Sequence, residues 1–138
     1  MPLAPLTPVF ANAAGEIYSH PGGYAVLRFR PGRWGVAKLV PLITRLSELL
    51  ADHAWHRLLT DARQMPVLSA ECKDWVAAHW MGGGLPRPTY LHQAMLHPSE
   101  VFARLAVSEM RAKAPGNTTY TYFDDDAAAH AHLAALPM

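Results

Sequence analysis

The most informative segment for the fold is YAVLRFRPGRWGVAKLVPLITRLSELLADHAWHRLLTD, residues 24–61, because the spacing of its apolar residues changes twice. In residues 24–30, alanine, leucine and phenylalanine alternate with a set that includes Arg28 and Arg30, a period of two that predicts a β-strand. One face of this strand is expected to lie in a core, and the other is expected to carry the arginines. Helical spacing of leucine and isoleucine follows, and residues 57–61 then form a short apolar run typical of a strand buried on both faces.

Pro41 and two short β-prone runs predict where the first long helix begins and where the first two strands lie. Pro41 is disfavoured in a helix interior but accepted in a first turn, so the first long helix is expected to begin near residues 37–40. Towards the N-terminus, short β-prone runs at residues 9–12 and 17–20 precede the strand described above and predict a three-stranded meander. The proline-rich residues 1–8 are expected to form a flexible tail.

The C-terminal half alternates helices with strands. Ser69 is predicted to be the N-cap of a helix that ends at a glycine triplet, and Ser99 is predicted to cap the next helix. Strands are predicted at residues 89–96 and 118–123, and Asp124 is expected to cap a final helix. The resulting order, βββαβαβαβα, predicts an α/β domain with a mixed, partly parallel sheet and helices packed against it.

Length and composition restrict the class of protein. A chain of 138 residues with 51% hydrophobic content is expected to form a single domain, here residues 9–138. The formal net charge of +1 is too small for a nucleic-acid binder, and no apolar run reaches the roughly 18 residues of a membrane span. No motif for a phosphate or dinucleotide group is present, so no cofactor is expected.

The single cysteine, Cys72, excludes an internal disulfide bond and favours a reducing compartment. The first residues lack the basic and apolar regions of a signal peptide. Together these features predict a cytoplasmic protein.

Three short strings, taken with the element order, resemble bacterial STAS-like, or SpoIIAA-like, domains. They are Leu58-Leu59-Thr60-Asp61 at a strand end, Pro98-Ser99-Glu100-Val101-Phe102-Ala103 at a helix start, and Tyr120-Thr121-Tyr122-Phe123-Asp124-Asp125 near the C-terminus. The resemblance spans roughly residues 9–136. It implies a STAS/SpoIIAA-like mixed sheet and a non-enzymatic role: anti-sigma factor antagonists of this type bind a partner kinase, and related branches are thought to bind small or apolar ligands.

The chain departs from the anti-sigma antagonists at their phosphorylation site. Those domains place a serine or threonine directly after an aspartate at the end of the central strand. Here Asp61 is followed by Ala62 and Arg63, and the next serine is Ser69. Phosphate at Ser69 would lie at a helix N-terminus, which stabilises negative charge. The alternative is that Ser69 only caps the helix.

Asp61 and Arg63 are the polar candidates for ligand binding. They stand just beyond the carboxyl end of a strand, where ligands bind in open α/β sheets if the strand order reverses there. The alternative interpretation is an ion pair that anchors the turn.

Aromatic and methionine side chains predict an apolar pocket. Trp75 and Trp80 are the candidate walls, Met95 is the candidate adaptable lining, and Gly82 to Gly84 could form the hinge of a lid. The alternative is ordinary core packing beside a flexible loop.

A catalytic or metal site built from Cys72 or the histidines is the interpretation that competes with ligand binding. Cys72 lies near a predicted helix N-terminus, which lowers the pKa of a thiol, but it also falls on the apolar helix face as a small hydrophobic residue would. No two histidines have the i,i+4 spacing of a helical zinc site, so no metal site is predicted.

The sequence therefore predicts a non-enzymatic cytoplasmic regulatory module that binds a protein partner, an apolar small molecule, or both. Two alternatives stay open: a small enzyme that uses Cys72 or the histidines, and a homodimeric self-association module.

Overall fold

The structure is a computed structural model that describes residues 5–81, 84–86, 88–99, 101–112 and 118–136. Its elements, in chain order, are β1 (Thr7–Ala11), β2 (Gly15–His20), β3 (Tyr24–Phe29), α1 (Val36–His53), β4 (Arg57–Asp61), α2 (Ala70–Trp75), a π-helix (Val76–Met81), β5 (Leu91–Leu96), α3 (Val101–Ala112), β6 (Thr118–Phe123) and α4 (Asp126–Ala135). The α/β class and the mixed sheet with packed helices are confirmed.

The six strands form one sheet whose spatial order follows the chain order from β1 to β6. The first three strands are antiparallel neighbours, and β3 to β6 are parallel. Parallel neighbours need crossover connections, which α1, α2 with the π-helix, and α3 supply. Each crossover steps to the next strand in the same direction, so the strand order never reverses among the described strands.

The sheet is buried on both faces. The main face packs against α1, α2, the π-helix and α3, and its core includes Leu27, Leu58 and Met95 from the strands. The other face, called the α4 face here, packs against α4 through Val26 and Leu59. Successive residues of a strand point to opposite faces, so each central strand contributes to both cores.

The second core corrects an expectation for β3. One face of this strand was expected to be polar because it carries the arginines, but Tyr24 and Val26 on that face are each only 1% exposed. The reason is tertiary: α4 returns across this face and packs Ala129 and Leu133 against it.

The helix α1 begins earlier than expected. It starts at Val36, after Gly35, so Pro41 lies in the second turn rather than in the first. Pro41 is on the exposed side of the helix, where its ring displaces no core side chain. It has no N–H to donate to the carbonyl of Ala37, so one interior hydrogen bond of the helix is not made.

Two further boundaries differ from expectation by short shifts. β1 begins at Thr7, inside the segment expected to be a tail, and its register shifts between Pro8 and Phe10. β1 lies at the edge of the sheet, where a proline without an N–H is tolerated. The cap of α4 is Asp125, which accepts from the N–H of Ala128 at 2.9 Å, and not Asp124.

The helix after β4 changes type within its length. Ser69 caps α2 as predicted, because its Oγ accepts from the N–H of Cys72 at 3.1 Å. From Val76 to Met81 the chain is a π-helix. π-Helical segments are rare, and many of those that occur lie at functional sites. Val76 and Trp80, both in this π-helix, pack into the main core.

Candidate functional site

An apolar cavity of about 80 Å³ lies between the main face of the sheet and the helices that cover it. α1, the π-helix and α3 contribute to the wall, together with β3 to β6 and the segment after β4. The lining residues are Leu27, Phe29, Leu39, Ile43, Leu46, Leu58, Thr60, Ala62, Met65, Leu68, Val76, Trp80, Gln93, Met95, Val107 and Tyr120. The space is smaller than the roughly 150 Å³ of an apolar cavity that holds benzene.

The described lining includes the neutral polar side chains of Gln93 and Thr60. Gln93 is 7% exposed and Thr60 is 2% exposed. The amide Nε2 of Gln93 donates to Thr60 Oγ1 at 2.7 Å, whereas the amide Oε1 of Gln93 has no hydrogen-bond partner. Buried polar atoms are nearly always hydrogen-bonded, so an unpartnered amide oxygen on a residue that lines a cavity is an uncommon feature.

The register of β4 and β5 creates this arrangement. Leu58 is the Cα partner of Gln93, and Thr60 is the Cα partner of Met95. Because alternate residues of a strand share a face, all four side chains point to the main face. A register shift of one residue would send the polar pair to the α4 face.

The structure places two of the predicted pocket residues in this cavity. Trp80 and Met95 are each 7% exposed and belong to its lining. Trp75 packs against the main core and lies beside His79, with 5.1 Å between ring centroids, but it does not line the cavity. The glycines expected to form a hinge include Gly82 and Gly83, which lie outside the described residues.

Asp61 and Arg63 lie on the opposite face, at the carboxyl end of β4. Arg63 Nε and Nη2 donate to the two carboxylate oxygens of Asp61 at 3.0 and 2.8 Å, and the backbone N–H of Arg63 donates at 3.2 Å. Arg28, the Cα partner of Asp61 on β3, places its Nε 3.4 Å from Oδ2. With Phe29 and Gln64, these residues line a separate surface cleft.

The electrostatics of Asp61 favour its charged form. Burial opposes ionisation of the carboxyl group, but the hydrogen bonds and charge of Arg63 and the charge of Arg28 outweigh burial and lower its pKa. Asp61 is 4% exposed and uses both oxygens within the ion pair.

The reason for expecting a ligand at Asp61 and Arg63 does not apply to this sheet. Ligands bind in the crevice at a point where the strand order reverses, and the order here runs from β1 to β6 without reversal among the described strands. The geometry instead fits an ion pair that anchors the turn after β4.

The candidates for covalent chemistry have different surroundings. Cys72 is 1% exposed within the main core, where a substrate would not reach its thiol. Ser69 is exposed, and its hydroxyl oxygen accepts the capping hydrogen bond. Within the described ranges, no three histidine, cysteine, aspartate or glutamate side chains converge on a metal-binding position.

A second polar group, which the sequence interpretation missed, lies on the α4 face. Tyr24 Oη and His130 Nδ1 are 2.6 Å apart, and His130 Nε2 is 3.7 Å from Asp126 Oδ1. Burial raises the pKa of Tyr24 to about 12, so its hydroxyl remains protonated and can donate to His130. Tyr24 is 1% exposed, so this network joins α4 to β3 rather than facing a ligand.

Gln93 and Thr60 were also missed. The signal in the sequence was a polar side chain within an otherwise apolar strand, which indicates either an exposed face or a paired buried group. Only the pairing of β4 with β5 distinguishes these two cases.

Comparison of the chain with protein-family models, curated proteins and solved structures found no match. The resemblance to STAS-like domains therefore stays a prediction from the residues. Of the helices in the described part of the chain, none combines the length and apolarity needed to cross a membrane.

Proposed function

We propose that this chain is a STAS-like, non-enzymatic binding module that holds a small apolar molecule in the cavity on the main face of the sheet. The observation that carries the proposal is the cavity itself, an apolar space of about 80 Å³ lined by Trp80 and Met95. Ligand sites are typically concave and mostly apolar, with a few placed polar groups, and Gln93 and Thr60 supply such groups here.

The chemistry of the lining supports binding rather than catalysis. Among the described lining residues there is no carboxylate, imidazole, amine or thiol, the groups that most often perform acid–base and nucleophilic steps. The thioether of Met95 and the indole of Trp80 supply polarisable surface that adapts to different apolar shapes.

The size of the cavity limits the ligand. About 80 Å³ holds a group of a few heavy atoms, so a molecule as large as benzene would require the wall to move. The π-helix, which carries Val76 and Trp80, is the part of the wall with irregular helical geometry.

Native mass spectrometry of the freshly purified protein, paired with a denatured spectrum, tests for a resident ligand. Mass that is lost on denaturation supports the proposal. An apo mass is followed by titration with 1-butanol, observed through the NMR signal of the Met95 methyl group. No saturable shift at any concentration below that which unfolds the protein would contradict the proposal. The same spectra report a homodimer or a covalent phosphate.

Paired variants of α3 locate the binding site. Val107 lines the cavity and is 5% exposed, whereas Val101 on the same helix is 64% exposed. Val107→Phe is expected to fill the space and abolish binding, and the control Val101→Phe is expected to bind as the wild type does. Urea unfolding establishes that both variants fold. Equal binding by a folded Val107→Phe protein would place the ligand elsewhere.

A further inference from the structure

We propose that the ligand group inside the cavity is a neutral hydrogen-bond donor, such as a hydroxyl, which donates to Oε1 of Gln93. This inference rests on the proposed function and adds the chemistry of the bound group. Gln93 is more than nine-tenths buried, lines the cavity, and leaves its amide oxygen without a partner. An unmade hydrogen bond on a buried oxygen is costly, so a donor that completes it gains affinity.

The partner of the amide nitrogen determines which atom of Gln93 is left for the ligand. Nε2 donates to Thr60 Oγ1, and Thr60 is itself held in β4 opposite Met95. The reverse amide orientation would leave the nitrogen, instead of the oxygen, without a partner and would favour a ligand with an acceptor, such as a ketone. Donor and acceptor ligands therefore distinguish the two orientations.

The apolar wall restricts the donor to a neutral group. An ammonium ion buried without an opposite charge is strongly disfavoured, and the described lining offers no carboxylate to pair with it. Water is the competing donor, but a buried water needs two to four polar partners, whereas half of the described lining residues are leucine, isoleucine or methionine. A hydroxyl attached to a short alkyl group meets both requirements of the cavity.

Three probes with the same number of heavy atoms test this inference. 1-Butanol has a donor, 2-butanone has only an acceptor, and 1-chlorobutane has neither. Each is titrated into the wild-type protein and into Gln93→Met, with the NMR signals of the Met95 methyl group and the Gln93 side-chain amide as readouts. The ratio of the 1-butanol and 1-chlorobutane affinities is compared between proteins, because this ratio cancels the change in cavity shape.

The ratio of the affinity for 1-butanol to the affinity for 1-chlorobutane is expected to be about ten-fold higher in the wild-type protein than in Gln93→Met. The control Val101→Phe changes an exposed residue of α3 that is not among the described lining residues, so it is expected to keep the wild-type ratio. The order of the three affinities in the wild-type protein tests the inference even if Gln93→Met does not fold.

The outcomes separate the two proposals. If none of the probes binds, the proposed function fails. If all three bind with affinity ratios that Gln93→Met leaves unchanged, the cavity binds apolar molecules and the donor inference is overturned. Preference for 2-butanone over 1-butanol would also overturn it, because the amide nitrogen would then face the ligand.

Discussion

Asp61 on β4 and Gln93 on β5 are both buried polar side chains, but they differ in whether their side-chain oxygens have hydrogen-bond partners. Asp61 accepts hydrogen bonds from Arg63 at both carboxylate oxygens, with Arg28 beside it. Gln93 leaves its amide oxygen without a partner. A satisfied buried group contributes to stability, whereas an unsatisfied one detracts from it. The contrast supports a structural role for Asp61 and a binding role for Gln93.

The stabilisation from Asp61 is expected to depend on pH. The pKa of this carboxyl group is lowered in the folded state, so its contribution is present above the unfolded value of about 3.9 and is lost as pH falls through the folded value. Asp61→Asn is expected to cost about 1–2 kcal/mol at pH 7, a modest value because Arg28 and Arg63 are 40% and 44% exposed. Urea unfolding from pH 7 to pH 3 measures the free energy of unfolding of both proteins. The difference between wild type and Asp61→Asn should become smaller below about pH 4.

An exposed carboxylate serves as the control for this experiment. Asp74 on α2 is exposed, so Asp74→Asn is expected to change stability by less than about 0.5 kcal/mol across the same range. A difference between wild type and Asp61→Asn that stays constant down to pH 3 would contradict the role assigned to the ion pair.

Two helices of very different length, α1 and α2, lie on the side of the sheet that holds the cavity. α2 has six residues and continues into the π-helix that carries Trp80. Its start depends on a single side-chain cap from Ser69. α1, by contrast, has 18 residues and includes Pro41.

Removal of the α2 cap is expected to destabilise the protein. Ser69→Ala leaves the N–H of Cys72 without the side-chain acceptor and should cost about 1 kcal/mol. Ser69→Asp restores an acceptor oxygen and should recover most of the loss. Urea midpoints of the three proteins measure both effects, and an Ala variant as stable as the wild type would show that the cap is dispensable. Phosphorylation of Ser69 stays a prediction.

Replacement of Pro41 is expected to stabilise α1. Pro41→Ala restores an N–H that can donate to the carbonyl of Ala37, and the exposed ring contributes little burial. The interior cost of proline, about 3 kcal/mol, is partly offset because proline also restricts the unfolded chain, so the expected gain is about 1–2 kcal/mol. Thermal unfolding measures it. Glu48→Ala, an exposed change on the same helix, is expected to stay within about 0.5 kcal/mol of wild type, and a less stable Pro41→Ala protein would contradict the argument.

The whole molecule is a single sheet covered on two sides at its centre. β3, β4 and β5 contribute to the main core and to the α4 core, whereas β1 lies at an edge with much of its length exposed. The cavity lies within the main core, so a ligand there would contact the most protected part of the fold. On the other side of the sheet, α4 and the Tyr24 network cover the α4 face.

Amide hydrogen exchange is expected to follow this layering. The amides of β3, β4 and β5 should exchange slowest, because their hydrogen bonds break only when the packing on both faces of the sheet is lost. The amides of β1 should exchange fastest among the strands. Hydrogen exchange measured by NMR tests the order. Ligand binding is expected to slow exchange in the π-helix more than in α4, and faster exchange in β4 than in β1 would contradict the account of the two cores.

Local patterns were sufficient to predict most elements. The period of two in β3, the helical spacing in α1 and the cap at Ser69 each involve residues within a few positions of one another, so they are readable without tertiary structure. The same reasoning selected Trp80 and Met95, which line the cavity. Binding of a protein partner, homodimerisation and a cytoplasmic location stay predictions.

The order of strands and helices was predictable from the amino-acid sequence alone, because that order depends on short-range spacing, caps and turns. Three features are visible only in the tertiary structure: the order of the described strands does not reverse, α4 covers the second face, and Thr60 contacts Gln93 across 33 residues of chain. These features depend on strand register and packing between distant segments, which no local pattern contains. The cavity and its unpartnered amide oxygen arise at that level, so the site could be named only after the chain was folded.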